Sequence, residues 1–234
     1  MEQTVSFPLD LTVTLTGVTR WQLSHWRKTG LLVPEVQAYR PPLYSFRDLV
    51  ALRTVAKLRA ETSLQKVCRA FKNLSEFDLT EHPSAYRFAT DGKTIAVWTD
   101  NGFMDIVRNP GQYHIYLLED IFRPFVNKRG QKVADFEAPR PRISVDPHRL
   151  GGWPTIAGTR VPYDTVASAL RGGDLNPKDL RFYYPGVSKA AAKDALDFAN
   201  EVAERGGKRL APSLMPVCTG SATERKNTMA CSAS

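Results

Sequence analysis

Apolar residues recur at helical spacing through the first 75 positions of the chain. Residues that cap or end helices give the boundaries of four helices. The first lies between Pro8 and Gly17, and the second between Thr19 and Gly30. Ser45 with Asp48 begins a third, which ends near Ala60, and Ser63 begins a fourth. In the second helix Leu23 and Trp26 lie three apart and are predicted to face inward. Residues 31–44 contain three prolines and predict a loop or small wing. Two short helices around a glycine are typical of a helix-turn-helix.

The middle of the chain changes to the alternation of a β-sheet. One hairpin is predicted around Asp91-Gly92, which lies between a strand with Tyr86 and Phe88 and a strand with Ile95 and Val97. A second turn is predicted at Asn109-Pro110-Gly111. It lies between a strand with Phe103 and Ile106 and a strand with Tyr113, Ile115 and Leu117. These signals predict a small antiparallel sheet, followed by a short helix or irregular segment over 118–125. Residues 128–141 are polar and contain proline, which predicts a linker that lets the flanking parts act separately.

The last hundred residues return to a helical pattern. They begin with a strand-like run over 142–145 and a glycine-rich loop over 151–158. Three helices are predicted: Pro162–Arg171 ended by Gly172, Pro177–Tyr183 capped by Asn176, and Lys189–Arg205 between Ser188 and Gly206. The residues from 207 onward are predicted to be disordered. The chain is therefore expected to be an α+β protein with four parts, residues 1–75, 76–138, 139–206 and 207–234.

Charge is distributed unevenly along these parts. The 234 residues carry a net charge of +8; residues 1–75 hold 11 Lys and Arg against 5 Asp and Glu, whereas residues 76–138 hold 7 against 10. This asymmetry favours a polyanionic partner for the first part, although solvated surface charge explains a basic chain equally well. No apolar run approaches 18 residues, and the N-terminus lacks a signal-peptide pattern. We expect a cytoplasmic protein without a membrane span.

The N-terminal residues resemble the DNA-binding region of MerR-type regulators. The resemblance rests on the runs Gly17 to Trp26, Gly30-Leu31-Leu32-Val33-Pro34, Tyr39-Arg40 and Tyr44 to Leu49, and covers about residues 8–60. It implies a winged helix-turn-helix whose DNA contacts would come from Thr19, Arg20, Trp21, Ser24, His25, Arg27, Lys28, Tyr39, Arg40 and Tyr44. The family often has Arg where Ser24 stands, and its long dimerising coiled coil is absent here.

A second resemblance lies in the C-terminal part. The run Gly158-Thr159-Arg160-Val161-Pro162, with Asp146-Pro147, Gly152, Pro154 and Tyr184-Pro185 around it, resembles a small bacterial domain that is commonly encoded beside PIN-domain ribonucleases and described as a VapB-like antitoxin. Its helices resemble a second helix-turn-helix. Together the two resemblances imply an antitoxin that binds operator DNA and neutralises a VapC-type toxin. Arg160, Arg209 and Arg225 are the candidate toxin contacts.

Other functions are less well supported by the residues. The four histidines and three cysteines are scattered, and the glycine-rich loop lacks the Gly-Lys-Ser/Thr ending of a P-loop, so we expect no enzyme, catalytic residue, metal or cofactor. A ligand-sensing regulator without a toxin partner and an interaction adaptor without DNA binding are the alternatives. Helix-turn-helix readers usually span two half-sites, so we expect a homodimer, with the middle sheet as its interface, or a larger complex with the toxin.

Overall fold

The computed structural model describes residues 5–99, 102–107, 113–114, 121–173 and 179–207. Seven α-helices and ten strands of two to five residues lie within these ranges. The predicted α+β class is confirmed. No helix in the described ranges is long and apolar enough to cross a membrane.

Four helices form the N-terminal region, close to the predicted bounds: α1 Leu9–Thr16, α2 Arg20–Lys28, α3 Phe46–Glu61 and α4 Leu64–Asn73. Gly17 ends α1 in the left-handed conformation, at φ 73°. Thr19 and Gln22 form a capping box at the start of α2, and Ser45 and Asp48 form another at the start of α3. The helix limits are therefore set by local side chain to backbone hydrogen bonds.

The segment between α2 and α3 forms a small wing. Its base is closed by strand β2, Leu43–Tyr44, which pairs antiparallel with β1, Phe7–Pro8, and Gln37 makes a further bridge to Leu43. The wing was predicted, but β1 was not. A two-residue strand that contains proline is too short to show a period of two.

The middle region forms a four-stranded antiparallel sheet in the order β3 (Phe88–Thr90), β4 (Ile95–Thr99), β5 (Gly102–Asp105) and β6 (Tyr113–His114). The hairpin predicted at Asp91-Gly92 is confirmed. The predicted turn Asn109-Pro110-Gly111 and residues 115–120 lie outside the described residues. Phe71 of α4 stacks on Phe88 at 5.3 Å, which holds the sheet against the N-terminal helices.

The segment expected to be a linker belongs to the core instead. Strands β7 (Phe125–Val126) and β8 (Lys132–Val133) form an antiparallel hairpin, and Val133 and Phe136 are each 1% exposed. A Cβ atom at Gly17 would collide with the Val133 side chain, so the hairpin lies directly against the turn between α1 and α2. The prediction of a linker over 128–141 was wrong because its two inward apolar residues, Val133 and Phe136, are hard to detect among many polar ones.

The C-terminal region consists of a short two-stranded ribbon and three helices. Strand β9 (Ile143–Ser144) pairs antiparallel with β10 (Thr155–Ile156), and helices α5 (Tyr163–Arg171), α6 (Leu180–Tyr183) and α7 (Lys189–Arg205) follow. The predicted bounds of α7 are confirmed, and those of α5 are met within one residue. Asn176 and Pro177, predicted to begin the middle helix, lie outside the described residues, as do residues 208–234.

The N-terminal and C-terminal regions share one hydrophobic core. Helix α1 packs on α3 and on α7, and its residues 11–16 are all buried. The Phe7 and Trp153 rings are 5.7 Å apart. A Cβ atom at Gly206 would collide with Asp10. The regions therefore do not act as bodies joined by a flexible connection, because α1 is covered on both sides.

A buried arginine connects the segments at the centre of this core. Arg53 of α3 is 0% exposed, and its guanidinium lies 5.2 Å from the Phe125 ring and 5.6 Å from the Phe136 ring. It donates hydrogen bonds of 2.7–3.0 Å to the carbonyl oxygens of Leu15, Ile121, Phe122, Arg123 and Ala134. The side chain thus satisfies carbonyl groups on three separate segments.

We predict that Arg53→Met strongly destabilises the protein. Methionine has a comparable length but no donor, and each buried carbonyl left without a donor costs about 1–3 kcal/mol. The loss in the free energy of unfolding should exceed about 3 kcal/mol, measured by denaturant unfolding. Arg69→Met, at an exposed position of α4, is the control. Equal stability of the two variants would contradict the role of Arg53.

Candidate nucleic-acid interface

Helix α2 presents one face to the core and the opposite face to solvent. Leu23 and Trp26 are 2% and 1% exposed, which confirms the predicted inward face. Trp21 is 67% exposed and stacks on His25 with ring centroids 5.0 Å apart. Lys28 is exposed at the end of the helix. The outer face therefore offers an aromatic surface and a positive charge to a ligand.

Arg27 attaches the wing to one edge of α2. Its Nη1 donates to the Ala38 carbonyl oxygen at 2.9 Å, and its guanidinium lies 5.0 Å from the centre of the Tyr39 ring. Tyr39 is 65% exposed, and Arg40 is exposed beside it. Arg27, one of the predicted DNA contacts, positions the wing, while Tyr39 and Arg40 remain accessible.

Three other predicted DNA-contact residues occupy different environments. Arg20 forms an ion pair with Asp10 of α1, although its side chain stays 47% exposed. The Thr19 hydroxyl accepts a hydrogen bond from the backbone N–H of Gln22 at 3.2 Å, so its polar group is used in capping. Ser24 is half-buried on the same side of the helix as Trp21. These positions border the exposed face of α2 rather than form its centre.

The prediction of a DNA contact at Tyr44 is wrong for this structure. Its side chain is 1% exposed, because β2 pairs with β1 and carries the ring into the core. Burial raises the pKa of the Tyr44 hydroxyl to about 12, with Arg27 acting to lower it and Asp48 to raise it. A hydroxyl in this setting stays neutral and does not reach a phosphate. The sequence motif identified the wing correctly but not which of its aromatic rings points inward.

The turn of the β7–β8 hairpin adds a basic surface that the sequence did not predict. Lys128, Arg129 and Lys132 are exposed, and Lys128 and Arg129 line a groove with Trp21 of α2 and Arg59 of α3. A second groove brings Lys132 close to Arg20 and Thr19. The signal for this hairpin was the Asn127-Lys128-Arg129-Gly130 turn, in which Asn127 Oδ1 accepts hydrogen bonds from Arg129 N and Gln131 N. The hairpin and the wing therefore flank α2.

Of the C-terminal candidates, Arg160 lies within the described residues. Arg160 is exposed and borders an open depression with Asp146, His148 and Arg149. On α6, Phe182 and Tyr183 are 83% and 60% exposed, with their rings edge to face at 5.3 Å. Arg209 and Arg225 lie outside the described residues.

One group in the described part of the chain has the composition of a metal site. A donor atom from each of Glu35, Asp48 and His82 lies within 4.8 Å of the others. The group sits where the wing meets the first turn of α3. Sequence reasoning missed it because the three residues are far apart along the chain and match no ligand spacing.

Comparison with known families supports the N-terminal assignment. Residues 11–71 match the MerR HTH family regulatory proteins, and residues 143–199 match a family described as a protein of unknown function, DUF433. The N-terminal region therefore carries a MerR-type helix-turn-helix, the kind of domain that indicates a DNA-binding regulator. The description of the C-terminal family names no antitoxin activity.

Two individual proteins are similar to parts of the chain. An uncharacterized protein, y4eO, from Sinorhizobium fredii (strain NBRC 101917 / NGR234) is 29% identical over 98 residues, which is 42% of this chain and 43% of the relative. The chain thus matches less than half the length of that protein. The crystal structure of Rv2018 from Mycobacterium tuberculosis aligns with 82% of this chain and 96% of its own, at 17% identity and a TM-score of 0.48.

We predict that substitutions of the two tryptophans of α2 change the free energy of unfolding by very different amounts. Trp26→Ala should lower the free energy of unfolding by about 3–5 kcal/mol, because it truncates a buried side chain. Trp21→Ala should change it by no more than about 0.5 kcal/mol, because the ring is exposed. Denaturant unfolding of the two variants provides the comparison. A large loss in Trp21→Ala would mean that α2 is rotated about its axis relative to this structure.

Proposed function

We propose that this protein is a transcription regulator that binds operator DNA and also neutralises a PIN-domain ribonuclease, so that it serves as an autoregulating antitoxin and acts by binding rather than catalysis. The observation that carries the DNA-binding part is the solvent-exposed face of α2, which lies between the wing with its exposed Arg40 and the basic β7–β8 hairpin. The toxin-binding part is supported by the exposed aromatic residues and Arg160 in the C-terminal region, together with the resemblance of that region to VapB-like antitoxins.

The chemistry of the α2 surface suits a DNA duplex. A single α-helix fits the major groove of B-DNA, and flanking positive charges contact the phosphates on either side. Lys28 lies on the helix itself, Arg40 on the wing, and Lys128 and Arg129 on the hairpin. The wing contacts α2 through Arg27, whereas the hairpin groove is lined by Gln22. Arg27 and Gln22 are five residues apart in the sequence, which places them about 140° apart around the helix axis. The wing and the hairpin therefore contact different sides of α2.

A homodimer would place two such surfaces on one operator. Support comes from the middle sheet, where Ala89, Ala96 and Phe103 form a small buried apolar cluster separate from the main core. Trp98 packs edge-on against Phe103 at 5.0 Å and is 49% exposed. An exposed aromatic ring such as that of Trp98 is typical of subunit contacts. We propose the sheet face that carries Trp98 as the dimer interface.

We predict that Lys28→Ala and Arg129→Ala weaken DNA binding by removing phosphate contacts. Each should reduce the slope of log affinity against log salt by about one. The measurement is a titration of the full chain against the DNA upstream of its own gene, at several salt concentrations.

Lys193→Ala is the matched control for this experiment. It removes one exposed positive charge from the first half of α7, whereas the end of α7 is the part that lies near α2. Its salt slope should equal that of the unmodified protein. If all three variants lose affinity equally, net charge rather than this surface governs binding, and the assignment of α2 fails.

The C-terminal surface has the composition of a protein-binding site. Phe182 and Tyr183 form an exposed aromatic pair, and Arg160 lies in a turn held by Thr159, whose hydroxyl donates to the Ile156 carbonyl oxygen at 2.9 Å. Aromatic residues and arginine are the side chains most often responsible for interface affinity. An arginine also suits a nuclease site, where carboxylates hold a divalent metal.

We predict that a double variant, Phe182→Ser with Tyr183→Ser, loses toxin neutralisation, and that Arg160→Ala weakens it. Growth rescue and co-purification with a PIN-domain ribonuclease encoded beside this gene are the readouts. Substitutions in the full chain are preferred to truncations, since α1 and α7 share a core. Val126→Ser, at an exposed apolar position of the hairpin, is the control. Full rescue by the double variant, with loss on deleting residues 208–234, would assign the role to the segment with Arg209 and Arg225.

A further inference from the structure

We propose that Glu35, Asp48 and His82 bind a divalent transition-metal ion such as Zn²⁺ at the base of the wing. The three residues come from three segments, namely the wing, the first turn of α3 and the residues that precede the middle sheet. Their donor atoms lie within 4.8 Å of one another. This inference is independent of the DNA and toxin partners proposed above.

The Asp48 carboxylate is held rigidly, with one oxygen left available. Oδ2 accepts hydrogen bonds from the backbone N–H of Ser45 at 2.8 Å and of Glu35 at 3.0 Å. Oδ1 is buried and has no hydrogen-bond partner within the described residues. Burying a carboxylate oxygen without a partner is costly, and the whole residue is 0% exposed. A cation bound to Oδ1 would remove that cost.

The distance from Asp48 Oδ1 to His82 Nε2 fits a shared metal ion. The two atoms are 3.4 Å apart, which is longer than a good N–H···O hydrogen bond. Two ligands of a tetrahedral zinc ion, each about 2.1 Å from the metal, are separated by about 3.4 Å. The oxygen and the nitrogen therefore stand at the spacing of two corners of a coordination tetrahedron.

Contacts with Ser84 fix the orientation of the His82 ring. Its Nδ1 accepts a hydrogen bond from the backbone N–H of Ser84 at 3.3 Å and lies 2.8 Å from Ser84 Oγ. A metal-bound histidine usually has its other ring nitrogen hydrogen-bonded to a neighbouring group, which directs the second nitrogen to the metal. A metal at Nε2 would place the ring proton on Nδ1, where Ser84 Oγ can accept it. The side chain of His82 is 12% exposed, so its orientation is restricted by packing.

Glu35 completes the group from the solvent side. One oxygen accepts a hydrogen bond from Ser45 Oγ at 2.7 Å, and the other lies 3.7 Å from Arg47. Its side chain is 36% exposed, so the carboxylate can rotate and water can reach a fourth coordination position. An imidazole together with two carboxylates favours zinc and other transition metals over Mg²⁺ or Ca²⁺, which take oxygen ligands.

Metal binding at this site would link the wing to the rest of the fold. Glu35 belongs to the wing, while Asp48 begins α3 and His82 precedes the middle sheet. An ion bound by all three would hold the base of the wing in place. Because only the folded chain brings the ligands together, the ion should also raise the thermal stability.

The test is a titration of the full-length chain with ZnCl₂ and CoCl₂ under reducing conditions, followed by calorimetry and by the visible absorption of Co²⁺. We expect one ion per chain and a rise in Tm on adding zinc. His82→Gln and Glu35→Gln should each weaken binding by more than about tenfold and abolish the zinc-dependent rise in Tm. Both avoid Asp48, whose loss would also remove the α3 cap.

Two control variants separate this site from adventitious binding. His148→Gln removes an exposed histidine elsewhere, and Cys68→Ser removes an exposed thiol; both should leave the affinity unchanged. The variants should match the unmodified protein in Tm without metal to within a few degrees. The proposal is overturned if the unmodified chain binds no ion, if His82→Gln binds as tightly as the unmodified chain, or if cobalt shows thiolate absorption.

Discussion

The guanidinium of Arg53 is the interaction on which the rest of the structure depends. Carbonyl groups at the end of α1, over residues 121–123 and after β8 all need donors inside the core, and this one side chain supplies them. Arginine suits the position because its planar fork reaches several acceptors at once while its face packs on Phe125 and Phe136. The β7–β8 hairpin is thereby held against the helix-turn-helix, which brings Lys128 and Arg129 beside α2.

A second consequence is the position of α1 between α3 and α7. Three threonines of α1 are buried, and each hydroxyl bonds to the carbonyl oxygen four residues earlier, so none needs water. The helix can therefore be covered on both sides without leaving buried polar groups unsatisfied. The region that matches the MerR family and the region that matches DUF433 can thus pack against each other across α1.

Local signals in the sequence predicted much of the fold but less of the site. Capping residues such as Thr19 and Ser45 determine helix limits through hydrogen bonds to their own neighbours, so the helices were predictable. The partners of Arg20, the burial of Tyr44 and the hairpin beside α2 depend on contacts between distant residues, and no periodic pattern encodes them. The same holds for Asp48 and His82, which are brought together by the packing of the middle region on α3.

Asp10 of α1 connects the end of α7 with α2, and the contact with α7 depends on packing rather than on charge. Asp10 pairs with Arg20, but that pair is partly exposed, and such pairs contribute about 0–1 kcal/mol. The tighter constraint is at Gly206, which lies so close to Asp10 that no side chain fits between them. The end of α7, the start of α1 and the first turn of α2 thus meet at one point. A displacement of α7 would be transmitted to α1, because the packed atoms leave no space to absorb it.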